Sequence, residues 1–226
     1  DFSKTRVLPE MIYNPSSVTI LPGTTLALIS MPGEVLILRQ YFDITIDKIF
    51  NPNDQMIASL PMDVPPNDVV LSSDNKIAYL FTSEYGYGSL QFVDISNPTA
   101  PTLRNKIELE EKIDYQSISL DNKRAALGTD QTVTFYDISN IDSTKKLGTL
   151  KVKSYENYLV SDDQKTLFGI ASKIGKYLTL EINDISTPKS PKVLSKLSLE
   201  ILNSRYQILL SQDNTKLYFA GTFLII

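Results

Sequence analysis

An all-β fold of repeated four-stranded antiparallel sheets is predicted by three features of this 226-residue chain. A tripeptide recurs at a nearly constant period. A second string keeps step with it. Between the two, Val, Ile, Leu, Tyr, Phe and Thr gather in short runs divided by Asn, Asp, Gly and Pro, as half-buried strands and their turns require.

The tripeptide is Asp94-Ile95-Ser96, Asp137-Ile138-Ser139 and Asp184-Ile185-Ser186, with Asp43-Ile44-Thr45 as a fourth copy, and the successive separations are 51, 43 and 47 residues. The second string is Ser73-Asp74-Asn75-Lys76, Leu120-Asp121-Asn122-Lys123, Asp162-Asp163-Gln164-Lys165 and Gln212-Asp213-Asn214-Thr215, with Leu21-Pro22-Gly23-Thr24 in the same place of the first unit. This period fits one four-stranded propeller blade and is too long for ankyrin or leucine-rich units. In the second unit, strands are expected over 69–72, 77–82, 90–95 and 102–109. They are divided by the Asp74-Asn75 turn, a loop through Gly86 and Gly88, and the Asn97-Pro98 turn. No stretch shows a sustained helical period, and the charged run 106–115 reads as a fourth strand with an exposed connection.

The ends continue the pattern. Asp1-Phe2-Ser3 resembles the closing tripeptide, and Phe223-Leu224-Ile225-Ile226 resembles the apolar run that precedes it elsewhere. Counted round that join, the remaining intervals are 42 and 43 residues, a whole number of repeats. The predicted fold is therefore a five-bladed β-propeller in one domain, with blades at about 12–62, 63–109, 110–152, 153–199 and 200–226 plus 1–11. Residues 4–11 supply the outer strand of the last blade, because an unclosed ring leaves two open sheet edges. Five repeats of a longer array fit the same spacing.

Composition narrows the function. With 42% hydrophobic and 21% charged residues the chain can bury a core. A net charge of -4 gives no basic surface for nucleic acid. Cysteine and histidine are both absent, which excludes disulfides, thiol nucleophiles, Cys/His metal sites and any imidazole base. Gly-rich phosphate loops and the Gly-x-Ser-x-Gly elbow are also missing. No cofactor, metal site or catalytic residue is expected. The start shows no charged-then-apolar leader and reads as a processing boundary. The apolar stretch 217–226 is about half the length that spans a bilayer, so a soluble chain without membrane insertion is expected. No Asn opens a glycosylation sequon with a residue other than Pro in its second place.

The stretch 77–109, with Leu90-Gln91-Phe92-Val93-Asp94-Ile95-Ser96-Asn97-Pro98 and Pro101, resembles the LVIVD-repeat β-propellers of bacterial, archaeal and some protist surface proteins. The stretch 178–188 with Pro191 is similar. Residues 134–140 lack the prolines, and the first unit keeps only the core. The resemblance covers most of the chain through strand and turn positions. It implies a propeller that presents a binding surface, often at the cell exterior, and it carries over no catalytic residue.

The recurring aspartates could suggest a calcium site or a glycosidase pair. Their spacing instead puts one set in each blade, on one end, where each carboxylate accepts backbone N–H bonds in its own turn. The isoleucine of Asp-Ile-Ser is expected to fill the gap between blades. The opposite end carries the second-to-third and fourth-to-first connections. There Tyr13, Tyr115, Tyr155 and Tyr206 approach the innermost strands, Tyr85 and Tyr87 occupy a second-to-third loop, and Arg205 lies beside the channel. Pro65-Pro66-Asn67 takes the tyrosine place in the second unit. These rings either stack on a sugar or anchor a protein, or pack between blades as core with the hydroxyl bonded. The charges of Glu110-Glu111-Lys112 and Lys145-Lys146 read as solvated loops. The reading is a non-catalytic scaffold at the cell surface, part of a larger chain or assembly, that binds a protein or glycan through its tyrosine-bearing end. The alternatives are a lectin or a carboxylate-based glycoside hydrolase using the central funnel, with Glu34, Asp68, Glu84, Asp114 and Glu156 on or near that end.

Overall fold

The computed structural model describes residues 17–20, 26–31, 33–39, 56–84, 86–119, 121–152, 155–173, 177–199, 206–211 and 216–221. Residues 1–16 and 222–226, on which the expected closure rests, lie outside them. All regular structure among the described residues is β. The chain divides into two compact units, 1–111 and 112–226, and the division falls in the connection that follows the second sheet.

In the first unit, β1 (Ser17–Ile20), β2 (Leu26–Met31), β3 (Glu34–Arg39) and β4 (Met56–Pro61) form one antiparallel meander. A second comprises β5 (Asp68–Leu71), β6 (Ile77–Glu84), β7 (Tyr87–Asp94) and β8 (Thr102–Leu109). In the second unit, β9 (Tyr115–Ile118), β10 (Arg124–Gly128), β11 (Thr132–Asp137) and β12 (Lys145–Lys151) form a third meander. The fourth is β13 (Tyr155–Val160), β14 (Thr166–Lys173), β15 (Tyr177–Asp184) and β16 (Lys192–Leu199), and a pair follows, β17 (Tyr206–Leu210) and β18 (Leu217–Gly221). The loop expected through Gly86 and Gly88 is shorter than the sequence suggests. Gly86 takes φ +86°, which lets β6 and β7 join across two residues, and Gly88 pairs within the sheet.

The first-to-second turn is one chemical device used repeatedly. Ser72 Oγ donates to Asp74 Oδ1 at 2.7 Å and accepts from the Ile77 N–H at 2.9 Å, while Asn75 takes φ +56°. Ser119, Asp121, Arg124 and Asn122 repeat it, as do Ser161, Asp163, Thr166 and Gln164. In the last unit Ser211 Oγ accepts from the Lys216 N–H at 2.8 Å. The left-handed residue closes the turn, and Asn tolerates that conformation better than other side chains.

The third-to-fourth turn is equally regular. Asp94 Oδ1 accepts from Ser96 Oγ at 2.6 Å and from its N–H at 3.0 Å, and Asp137 with Ser139 and Asp184 with Ser186 match it closely. The isoleucine between them is buried each time. Ile95 packs in a cluster with Leu28, Val35 and Ile37 of the preceding sheet, and Ile185 with Ala126, Val133 and Phe135 of its own predecessor. The expected role of this isoleucine as filler between sheets is met at both places.

Two further regularities follow from the register. Each of the four outermost strands carries one bulge at the same point, so Ile57, Arg104, Leu147 and Leu194 have no opposite residue. A bulge adds local twist. Three residues after it, an apolar residue recurs as Leu60, Ile107, Leu150 and Leu197, paired with Val35, Leu90, Val133 and Leu180. Leu60 and Leu150 pack against the core clusters and Ile107 is 7% exposed, whereas Leu197 is 53% exposed. Close approach also has a residue requirement. A Cβ on Gly148 would collide with the Pro188 carbonyl oxygen.

Candidate functional site

A cleft of about 390 Å³ opens at the loop end of the second sheet. Register explains its lining. Thr82 pairs with Ser89, which pairs with Glu108; Gln91 pairs with Lys106; Glu84 pairs with Tyr87. Directly opposite residues point to one face, and so do residues two apart along a strand. Leu80, two residues before Thr82, lies on this face within the cluster that holds Leu28, Val35 and Ile37. The same face is thus apolar at the turn end and becomes polar toward the loop end. Val64, from the connection between β4 and β5, and Glu110, after β8, complete the rim.

Buried hydroxyls lie in the cleft. Thr82 and Ser89 are 5% and 4% exposed, and their hydroxyl oxygens are 2.7 Å apart. Gln91, itself buried, donates from Nε2 toward Ser89 Oγ at 3.5 Å. At the rim the Tyr87 side chain is 66% exposed beside Glu84. Lys106 Nζ bonds Glu108 Oε1 at 2.7 Å, which leaves Glu84 and Glu110 as the excess charge. No three acidic side chains among the described residues come together closely enough to hold a metal ion.

The tyrosines expected at this end divide. Tyr87 stands at the cleft. Tyr115, by contrast, packs against the cluster between the third and fourth sheets. Its hydroxyl accepts from the Val160 N–H at 2.8 Å, and its ring lies 5.8 Å from that of Tyr158. Burial raises its pKa, opposed by the Val160 bond and by one from Ser117. Tyr115 therefore takes the packing role of the two open to it. Tyr155 and Tyr206 begin β13 and β17, and their side chains lie outside the described part, as do Tyr13, Tyr85 and Arg205.

The carboxylates also separate. Glu84 lines the cleft. Asp68 Oδ1 accepts from the Val69 N–H at 2.9 Å, and Asp114 Oδ1 lies 3.1 Å from Lys112 Nζ. The side chains of Glu34 and Glu156 lie outside the described part. Sequence reasoning missed Thr82, Ser89, Gln91, Lys106, Glu108 and Val64. The available signal was Ser89 and Gln91 alternating with Leu90 and Phe92, polar groups placed where a core strand would carry apolar ones.

No family model matches the chain. An alignment 128 residues long, covering 50% of the chain, is 28% identical to an uncharacterized protein of Archaeoglobus fulgidus and spans 20% of that protein. Solved structures are similar over most of this chain at low identity. A Lactobacillus plantarum protein matches with a TM-score of 0.64, 16% identity and coverage of 93% of this chain and 64% of that one. The periplasmic gluconolactonase of Pseudomonas aeruginosa gives 0.61, 13%, 95% and 59%. The WD40 domain of Toxoplasma gondii coronin gives 0.61, 12%, 87% and 50%. The chain thus spans 50% to 64% of these structures. Such neighbours are β-propellers, and with the four-stranded meanders they show that fold.

Proposed function

We propose that this chain is a non-catalytic β-propeller scaffold of the LVIVD-repeat kind, five-bladed and closed by residues 4–11. It binds a protein or glycan partner through the loop end that carries Tyr87, as a module of a surface assembly. The observation that carries the reading is the open cleft with an exposed aromatic ring at its rim and hydroxyls within it. Aromatic rings of this kind supply contact area and a hydrogen-bonding tip together. Neither an imidazole nor a thiol is available to do chemistry there.

The full chain, screened against arrays of glycans and of extracellular proteins, is expected to bind through this end. Tyr87→Ala should weaken binding in a folded variant, and unchanged binding would place the partner elsewhere.

A second reading has its own observation. Glu84, Glu108 and Glu110 share one cleft, and the structurally similar proteins include the gluconolactonase of Pseudomonas aeruginosa. A hydrolase of glycosides needs two carboxyl groups about 5 to 10 Å apart. Product release from glycosides or sugar lactones, abolished by Glu84→Gln, would replace the scaffold reading with this one.

A further inference from the structure

We propose that the cleft of the second sheet takes a single neutral or amino sugar unit of a glycan, an inference that rests on the loop end being the binding face. A count of protons leads to it. Thr82 and Ser89 carry one hydroxyl proton each, and one proton serves the 2.7 Å contact between their oxygens. Ser89 Oγ already faces Gln91 Nε2. Whichever hydroxyl donates across the pair, the other keeps a proton with no acceptor among the described residues. Both side chains are more than nine-tenths buried. Thr82 and Ser89 line the cleft, so that proton is available to an incoming oxygen.

The other walls narrow the ligand. Glu84 and Glu110 only accept hydrogen bonds when ionised, which calls for a ligand rich in donors, such as vicinal hydroxyls or an ammonium group. The exposed Tyr87 ring offers an apolar surface of the size of one sugar face. Lys106 is engaged with Glu108 at 2.7 Å, so the excess charge is negative and repels uronates, sialyl groups and phosphates. A volume of about 390 Å³ is at the small end of ligand pockets, sufficient for one ring and short of an extended chain. A basic peptide would also satisfy the carboxylates, but it presents no hydroxyl-bearing ring to lie on Tyr87, and oligolysine tests it directly.

The test is a titration of the full chain, followed by amide signals, with methyl glucoside and methyl glucosaminide. Methyl glucuronide serves as the anionic control and oligolysine as the cationic peptide. The expected result is that both uncharged-acid sugars shift the signals of Thr82, Ser89 and Lys106 with a Kd of about millimolar, and the glucuronide binds about tenfold more weakly. Tyr87→Ala should weaken the sugars by about tenfold. Thr82→Val with Ser89→Ala should do the same while leaving the amide spectrum of a folded chain. Equal binding of the glucuronide overturns the inference, as does sugar binding that survives both variants. Oligolysine shifting these amides while no sugar does overturns it too, yet leaves the loop end as a protein-binding face. A partner found by array screening that perturbs none of these amides overturns the inference and the binding-face reading together.

Discussion

Tyr158 Oη donates to the Thr129 carbonyl oxygen at 2.6 Å, joining the innermost strand of the fourth sheet to the second-to-third turn of the third. Tyr158 is buried, and burial pushes its hydroxyl well above the ordinary tyrosine range. With the Tyr115 bond to Val160, two tyrosines stitch these sheets by their hydroxyls. Tyr158→Phe keeps the ring and strands the carbonyl. It should lower stability by about 1 to 2 kcal/mol in denaturant unfolding, with an unchanged slope.

Acid should loosen the turns. Asp74, Asp121 and Asp94, Asp137 and Asp184 are held below the ordinary 3.8, first by a serine hydroxyl in each case. In Asp163 burial acts the other way, and the bonds from Ser161 and the Lys165 backbone outweigh it. A depressed folded value means that the unfolded chain takes up protons first as pH falls. The turn contribution is thus complete above about pH 4 and is lost as pH drops below it through the folded values. Carboxyl titration by NMR should show Asp94 moving back toward 3.8 in Ser96→Ala.

Asn183 is fully buried in β15, and both of its side-chain polar atoms lack a partner among the described residues. It occupies the place that Val93 takes in the second sheet, since Leu167 pairs with Asn183 as Ala78 pairs with Val93. Asn183→Val should therefore raise stability, by about 1 to 3 kcal/mol in thermal or denaturant unfolding. A loss would mean that the amide serves a bound water or partner.

Gly148→Ala should be damaging for a different reason. The added methyl meets backbone at Pro188, which cannot rotate away as a side-chain tip could. A loss of about 1 to 3 kcal/mol is expected.

Ile107 and Leu197 hold equivalent positions with unequal burial. Ile107→Ala should cost about 2 kcal/mol or more. Leu197→Ser should stay within about 0.5 kcal/mol. Equal costs in unfolding experiments would show that Leu197 is covered in solution.

Much of the fold was legible because turns repeat their chemistry locally. Asp74, Asn75, Asp94 and Ile95 do the same work wherever they recur, and a carboxylate two residues from its N–H partner needs no tertiary information. The serine two places ahead of each turn aspartate, Ser72, Ser119 and Ser161, was equally regular and escaped notice because its main bonds reach four and five residues ahead. The cleft was harder to see. Tyr87 could be placed at the loop end by counting strands, but Thr82, Glu108 and Val64 converge only through register and the neighbouring sheet. Whether a tyrosine packs, as Tyr115 does, or stands free depends on what the next sheet puts against it.

The unopposed residue in each outermost strand has an effect on how these sheets meet strangers. A strand carrying such an irregularity can align with its neighbour in only one way, because sliding by a pair of residues would leave the extra residue facing a partner that has no room for it. Borrowed strands from other molecules would have to copy the kink to be accepted. The rim is thereby guarded by its shape, even where, as at Val193 and Leu194, its side chains are greasy enough to invite company.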